Sequence, residues 1–158
     1  MLKYSPTLSS AKACADAGEL DVWIHRYLHA EGRNVPLSDG LKLFRRYYIG
    51  PALFPLRLFT RCAGPEPGME YRIDPDWWAH RVAELEEAIR TDPDMPPFLV
   101  HYTEGGFELS DGNHRHKACE NLGVDKVPAI VWITEEAELE DFLAKYGESV
   151  RGCSILRR

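Results

Sequence analysis

The sequence predicts an α+β fold: a small mixed sheet with packed helices, preceded by a helical N-terminal extension. Three features carry this expectation. Residues 1–50 place apolar side chains at helical spacing, residues 97–111 alternate like strands around Glu104-Gly105-Gly106, and the rest switches irregularly between helix and strand patterns. With 158 residues, 44% apolar and 28% charged, the chain suits one compact core and is not composed like a disordered one. The expected division is a helical extension at 1–50, a core domain at 51–147 and a tail at 148–158.

Within the extension, Ser9 or Ser10 is placed to cap a first helix that ends near Gly18. A second, over 19–31, sets Trp23 or Ile24 against Tyr27 and Leu28 and stops at Gly32. Residues 40–48 fit helix and strand templates equally. A strand is expected near 55–61, opening on Pro55, where a missing N–H does least harm. The Pro- and Gly-rich 63–71 must be a loop. Asp74 and Pro75 then open a helix in which Trp78, Val82, Leu85 and Ile89 recur at helical spacing. Strands follow at 97–102 and 107–111, a helix at about 113–122 and a buried strand at 127–133. Thr134 is placed to cap a last helix with the stripe Leu139, Phe142, Leu143 and Tyr146, closed by Gly147.

Charge and composition weigh against several functions. Nineteen bases against 25 acids leave a formal charge of −6, which weighs against a protein that grips duplex DNA through a basic face. No run of about 18 apolar residues predicts a membrane span, and Met1–Pro6 lacks the apolar core of a secretion signal. Cys14, Cys62, Cys119 and Cys153 are scattered without a CxxC pair, which points to reduced thiols in a cytoplasmic protein rather than a zinc knuckle.

The densest polar run, Asp111-Gly112-Asn113-His114-Arg115-His116, falls at the corner between strand 107–111 and the following helix. First-turn backbone N–H groups have no intrahelical acceptor and sit at the positive end of the helix dipole, so an anion satisfies both conditions. Gly112 removes the Cβ that would block a phosphate, Asn113 brings an amide, His114 a switchable donor and Arg115 a forked cation. Asp111 suits a magnesium ion held through the phosphate, or a substrate hydroxyl for which it acts as base. The same residues also fit a solvated turn in which Asp111 merely caps the helix.

The stretch from about 96 to 132, "PPFLVHYTEGGFELSDGNHRHKACENLGVDKVPAIVW", resembles the core of the ParB/sulfiredoxin superfamily: strand, hairpin, strand, Gly-x-x-Arg corner, alanine-containing helix, "LG" and a closing strand. The resemblance implies a nucleotide cradle at the corner. Gly112, Asn113, His114, Arg115 and His116 would bind ATP, ADP or CTP with magnesium, and Asp111, His114 and Arg115 would do any chemistry. Sulfiredoxins place a nucleophilic cysteine where Asn113 stands, so that activity is not expected. Chromosome-partitioning ParB proteins continue into helix-turn-helix and dimerisation domains, whereas only 25 residues follow Ile133 here, 158 minus 133. The Asp-Gly start and Arg end are similar to the corner of the superfamily's ADP- or ATP-dependent small-molecule kinases, whose catalytic glutamate has Glu66 and Glu70 as unaligned counterparts.

The resulting expectation is a nucleotide- or phosphate-binding protein, with phosphotransfer or NTP hydrolysis favoured over nuclease action and enzymatic turnover left open. A small-molecule acceptor belongs to the kinase form of this reading. The alternative is a non-catalytic module whose residues 1–50 meet a protein partner. His101, His114 and His116 with Asp111 make a weaker metal constellation, because His114 and His116 diverge at i, i+2 spacing. Trp78 reads as core and Trp77 as free to line a cleft. Arg45-Arg46-Tyr47-Tyr48 reads as a half-buried segment, and Glu135–Asp141 as a solvated helix face.

Overall fold

The structure is a computed structural model that describes residues 3–158. Three helices come first: α1 (Leu8–Asp16), α2 (Leu20–His29) and α3 (Val35–Leu41). The α1 cap is Thr7, whose hydroxyl accepts from Ser10 N at 3.2 Å, and not Ser9 or Ser10. Both serines have other tasks: Ser10 Oγ accepts from Ser5 N at 2.9 Å, and Ser9 Oγ donates to Asp94 at 2.9 Å. The ambiguity at 40–48 resolves into the end of α3 and the start of a strand. Asn34 caps α3, with Pro36 in its first turn.

Strand β1 (Tyr47–Pro55) is followed by a 3-10 turn at Leu56–Leu58 and the short strands β2 (Phe59–Thr60), β3 (Ala63–Gly64) and β4 (Tyr71–Arg72). The expected strand at 55–61 is thus corrected. Pro55 closes β1 instead of opening a strand, and the chain turns before β2. Helix α4 (Pro75–Thr91) starts at its Asp74 cap, whose carboxylate accepts from Asp76 N and Trp77 N at 3.1 and 3.0 Å. The hairpin β5 (Phe98–Thr103) and β6 (Gly106–Asp111) turns through Glu104 and Gly105, both with positive φ, as a tight two-residue turn requires. Then come α5 (Asn113–Asn121), β7 (Lys126–Ile133), α6 (Glu136–Tyr146), a 3-10 turn at Gly147–Val150 and β8 (Ile155–Arg157). Thr134 does not cap α6; its hydroxyl accepts from Arg46 Nη1, and Glu135 stands at the cap without a side-chain bond. Leu143 is half-exposed, so the α6 stripe rests on Phe142.

Six strands form one sheet in the order β2-β6-β5-β7-β1-β8, with β5/β7 and β2/β6 parallel and the other pairs antiparallel. The segment expected as a tail supplies an edge strand, because Leu156 packs with Tyr48 opposite it. Alternation along the central strands sends side chains into two cores. On one face Phe54, Phe98, Val100, Phe107 and Val131 pack with Cys119 of α5 and Phe142 of α6. On the other, Tyr48, Leu99 and Ile130 meet Trp23, Ile24 and Leu28 of α2. The N-terminal helices are therefore a full layer over the sheet. Trp78 and Val82 of α4 clamp Ala118 of α5 from outside. All four cysteines are free thiols, and among the described residues no helix is long and apolar enough to cross a membrane.

Trp23 is fully buried, stacks on Tyr27 at 5.1 Å and donates from Nε1 to Ser5 O at 3.0 Å. Trp23→Ala is expected to lower the unfolding free energy by about 3–5 kcal/mol while keeping one cooperative transition. Urea unfolding followed by circular dichroism checks this; a separate early transition would show the extension to be an independent unit.

Candidate functional site

The corner begins where β6 delivers Asp111 and the chain turns through Gly112, with φ 108°. A Cβ on Gly112 would stand 2.5 Å from the Phe98 ring. Glycine is thus required at this point by close packing of Phe98 as well as by backbone conformation. Gly112 is also the N-cap of α5, which makes no side-chain cap bond. Asp111 does not cap the helix.

The Arg115 guanidinium, expected at a ligand, is engaged within the protein in this structure. The residue is 6% exposed and lies over the Phe98 ring at 4.8 Å. Its Nη1 donates to Pro96 O, and its Nη2 donates to Asp111 Oδ2 at 3.2 Å and to the Tyr27 hydroxyl at 3.3 Å. The helical i, i+4 spacing brings Asp111 and Arg115 together, with side chains 13% and 8% exposed. Burial pushes the Asp111 carboxyl above the ordinary range, against the pull of Arg115. Burial also raises the Tyr27 hydroxyl to about 12. Asp111 is therefore committed to this pair, which leaves it poorly placed as a magnesium ligand or a base.

Asn113 is equally committed. Its Oδ1 accepts from Cys62 N at 2.9 Å and Ala63 N at 3.1 Å, fastening the loop after β2 to the start of α5. His116 is buried, and its Nε2 donates to Leu56 O at 3.2 Å while its Nδ1 has no partner. Only His114 among the corner side chains is uncommitted. Its ring packs on Trp78 at 4.5 Å, and its Nε2 is buried without a hydrogen-bond partner. Burial first, then the charges of Arg81 and Arg61, hold the His114 ring below its usual titration range and hence neutral.

Arg61 carries no sequence signal that would bring it to this corner. Its guanidinium lies over the Trp78 ring at 4.9 Å and is held by the Glu66 carboxylate and by Ala63 O at 3.2 Å. Glu70, the other candidate glutamate, is exposed and raises the Tyr71 hydroxyl through its charge and a hydrogen bond. The three histidines of the metal constellation do not converge: His101 stacks on Trp132 at 3.7 Å, His114 on Trp78, and His116 points to Leu56. Trp77 is exposed, as expected, and Trp78 is core.

The arrangement can do one thing chemically with economy. The first turn of α5 has no side-chain cap and its second residue, His114, keeps a buried Nε2 without a partner, while the charges of Arg61 and Arg81 both act on that imidazole. An uncapped helix end of this kind has the chemistry to accept an anion, on a scaffold held by Arg115.

Comparison with known proteins places the segment. Residues 69–145 match the family model for the ParB N-terminal domain. A nucleoid occlusion protein from Halalkalibacterium halodurans is 37% identical over 51 residues, which is 32% of this chain; the matched segment spans 18% of that relative's length. Sulfiredoxin from Arabidopsis thaliana is 24% identical at a TM-score of 0.41, covering 59% of this chain and 98% of its own. A C-terminally truncated chromosome-partitioning ParB from Caulobacter crescentus, complexed with CTP-gamma-S, is 21% identical at a TM-score of 0.43. It covers 62% of this chain and 53% of its own.

Removing Arg115 leaves Asp111 buried with its charge uncompensated. Arg115→Met is expected to cost about 3–5 kcal/mol in chemical unfolding, and adding Asp111→Leu to recover a large part of it. Additive losses would show that the pair is not coupled. A second expectation concerns pH. Burial lowers the titration of His25, His101, His114 and His116 in the folded protein from the ordinary 6.5. The unfolded chain then binds more protons below that pH, so stability is complete above about 6.5 and falls as the pH drops towards 5. Urea midpoints measured from pH 7.5 to 5 check the slope, which His114→Gln should reduce.

Proposed function

We propose that this chain, whose residues 69–145 match the ParB N-terminal domain, binds a phosphate-bearing ligand, a nucleotide in the first instance, at the N-terminus of α5. The observation that carries this reading is the uncapped first turn of α5 beside a buried, unpartnered His114 Nε2. Backbone N–H groups of Asn113, His114 and Arg115 would receive phosphate oxygens, and neutral His114 would donate one further bond. Arg61 and Arg81 would supply the positive potential that the notional Arg115 contact cannot, since Arg115 is engaged inside. Any magnesium would arrive with the nucleotide and offset its phosphate charge rather than rest on Asp111, which is paired to Arg115.

The ParB from Caulobacter crescentus is complexed with a CTP analogue, which makes CTP one nucleotide to test alongside ATP and ADP; the reading itself rests on α5. Phosphotransfer or NTP hydrolysis is the finer form of the proposal. Glu70 is the exposed carboxylate on the neighbouring loop available to such a step, whereas Glu66 is paired to Arg61. A non-catalytic ligand-binding module is the second reading, favoured by the burial of both Asp111 and Arg115 away from any reacting group.

Calorimetry with ATP, ADP and CTP in magnesium should give saturable binding for at least one, weakened about tenfold or more by His114→Ala. Silence of the folded wild-type protein towards all three would sink the proposal. Phosphate release or transfer by the nucleotide that binds, lost in Glu70→Gln with affinity retained, separates the enzymatic form from the binding module.

A further inference from the structure

The sheet ends on an open edge far in sequence from the α5 corner. Arg46 and Arg158 exchange both backbone hydrogen bonds, at 2.7 and 3.0 Å, so they form a hydrogen-bonded pair of an antiparallel ladder. Such ladders alternate. Leu156 therefore bonds inward to Tyr48, while Ile155 and Arg157 turn their N–H and C=O groups away from β1. On that side β8 has no neighbouring strand among the described residues. The exposed Arg158 side chain donates to Arg157 O there, at 3.1 Å.

This edge is cationic in a chain of net charge −6. Arg157 is exposed and lies over the Tyr47 ring at 5.2 Å. Arg158 is exposed and loosely held by Asp21 at 3.8 Å. Lys42 and Arg45, also exposed, continue the patch past the end of β8, together with Leu43 and Phe44, which are 74% and 65% exposed. On the helix-facing side of β8 lies a recess of about 290 Å³ between the α1–α2 turn and the strand, lined by Ala15, Gly18, Leu20, Gly50, Ser154 and Leu156. Ala15, Leu20 and Leu156 give the recess apolar walls, and Asp16, which also lines it, makes that end unfavourable for an acid.

We propose that β8 accepts an extended polypeptide segment of alternating acidic and apolar residues as an added strand. Its backbone would pair with Ile155 and Arg157, its acids would meet Arg157, Arg158 and Arg45, and an apolar side chain would enter the recess. Strand addition draws affinity from main-chain bonds and selectivity from alternate side chains, and each of those elements is present at this edge. A second copy of the chain is the wrong occupant, because two such edges would crowd the same cations together. Nucleic acid would use the cations but leave the outward carbonyls facing phosphates. The surface lies outside the segment 69–145 and is independent of nucleotide binding at α5.

The test is fluorescence anisotropy with a labelled peptide of roughly eight residues alternating valine and glutamate, long enough to cover a strand of ordinary length. Hydrogen exchange at the Ile155 and Arg157 amides is read in parallel. Saturable binding, slowed exchange at both amides and a tenfold or greater loss in Arg157→Glu are expected. Arg157 is exposed, so this variant should fold, which circular dichroism verifies. A valine–lysine peptide, or one N-methylated along its pairing edge, should not bind. No binding of the valine–glutamate peptide, equal binding by Arg157→Glu, or unchanged exchange would overturn the proposal. So would an oligothymidylate that binds this edge in place of the peptide.

Discussion

The buried ion pair of Asp111 and Arg115 is the constraint on which the corner depends. It joins four parts of the chain: the end of β6, the first turns of α5, the Pro96 carbonyl ahead of β5 and Tyr27 on α2. Burying an arginine is costly unless its charge is matched and its donors are used. Here the carboxylate matches the charge, a carbonyl and a hydroxyl take further donors, and the Phe98 face covers the planar group. The left-handed Gly112 follows from the same packing, because no side chain fits between Phe98 and the guanidinium.

That commitment changes what α5 can offer a ligand. With Asn113 holding the backbone of Cys62 and Ala63, and His116 holding Leu56, the polar side chains of the corner mostly serve as scaffold. What stays available is the dipolar end of the helix and one imidazole. A fixed backbone cradle needs no reorganisation when an anion arrives, so its donors act at full strength from the first contact. Side-chain charge must then come from the neighbouring loop and from α4, through Arg61 and Arg81.

The elements with strong local signals were legible. Asp74-Pro75 fixes the start of α4 by capping chemistry, and Glu104-Gly105 fixes the hairpin because its turn demands positive φ. The corner was located from its residue types and from the resemblance, but the orientation of its side chains was not. Whether Arg115 faces solvent or Asp111 depends on Pro96, Phe98 and Tyr27, and Tyr27 is 88 residues away. Local periodicity carries no information about such a contact. The same holds for Pro55. A strand template reads its neighbours correctly, yet Leu56 N is drawn to Asp125 O at 2.9 Å, and the chain turns there instead of continuing.

Tyr27 also explains why the N-terminal helices cannot be treated as an appendage. Its ring stacks on Trp23 in the helix-facing core, while its hydroxyl accepts from Arg115 in the corner. The layer over the sheet and the start of α5 therefore share one side chain. Any ligand that drew Arg115 outward would strip a donor from Tyr27 and leave Asp111 buried without its cation, at a cost of several kcal/mol. An anion held by backbone N–H groups and His114 incurs no such cost. The energetics of the scaffold thus favour recognition by the helix end over recognition by the arginine, even though the arginine is the more conspicuous residue in the sequence.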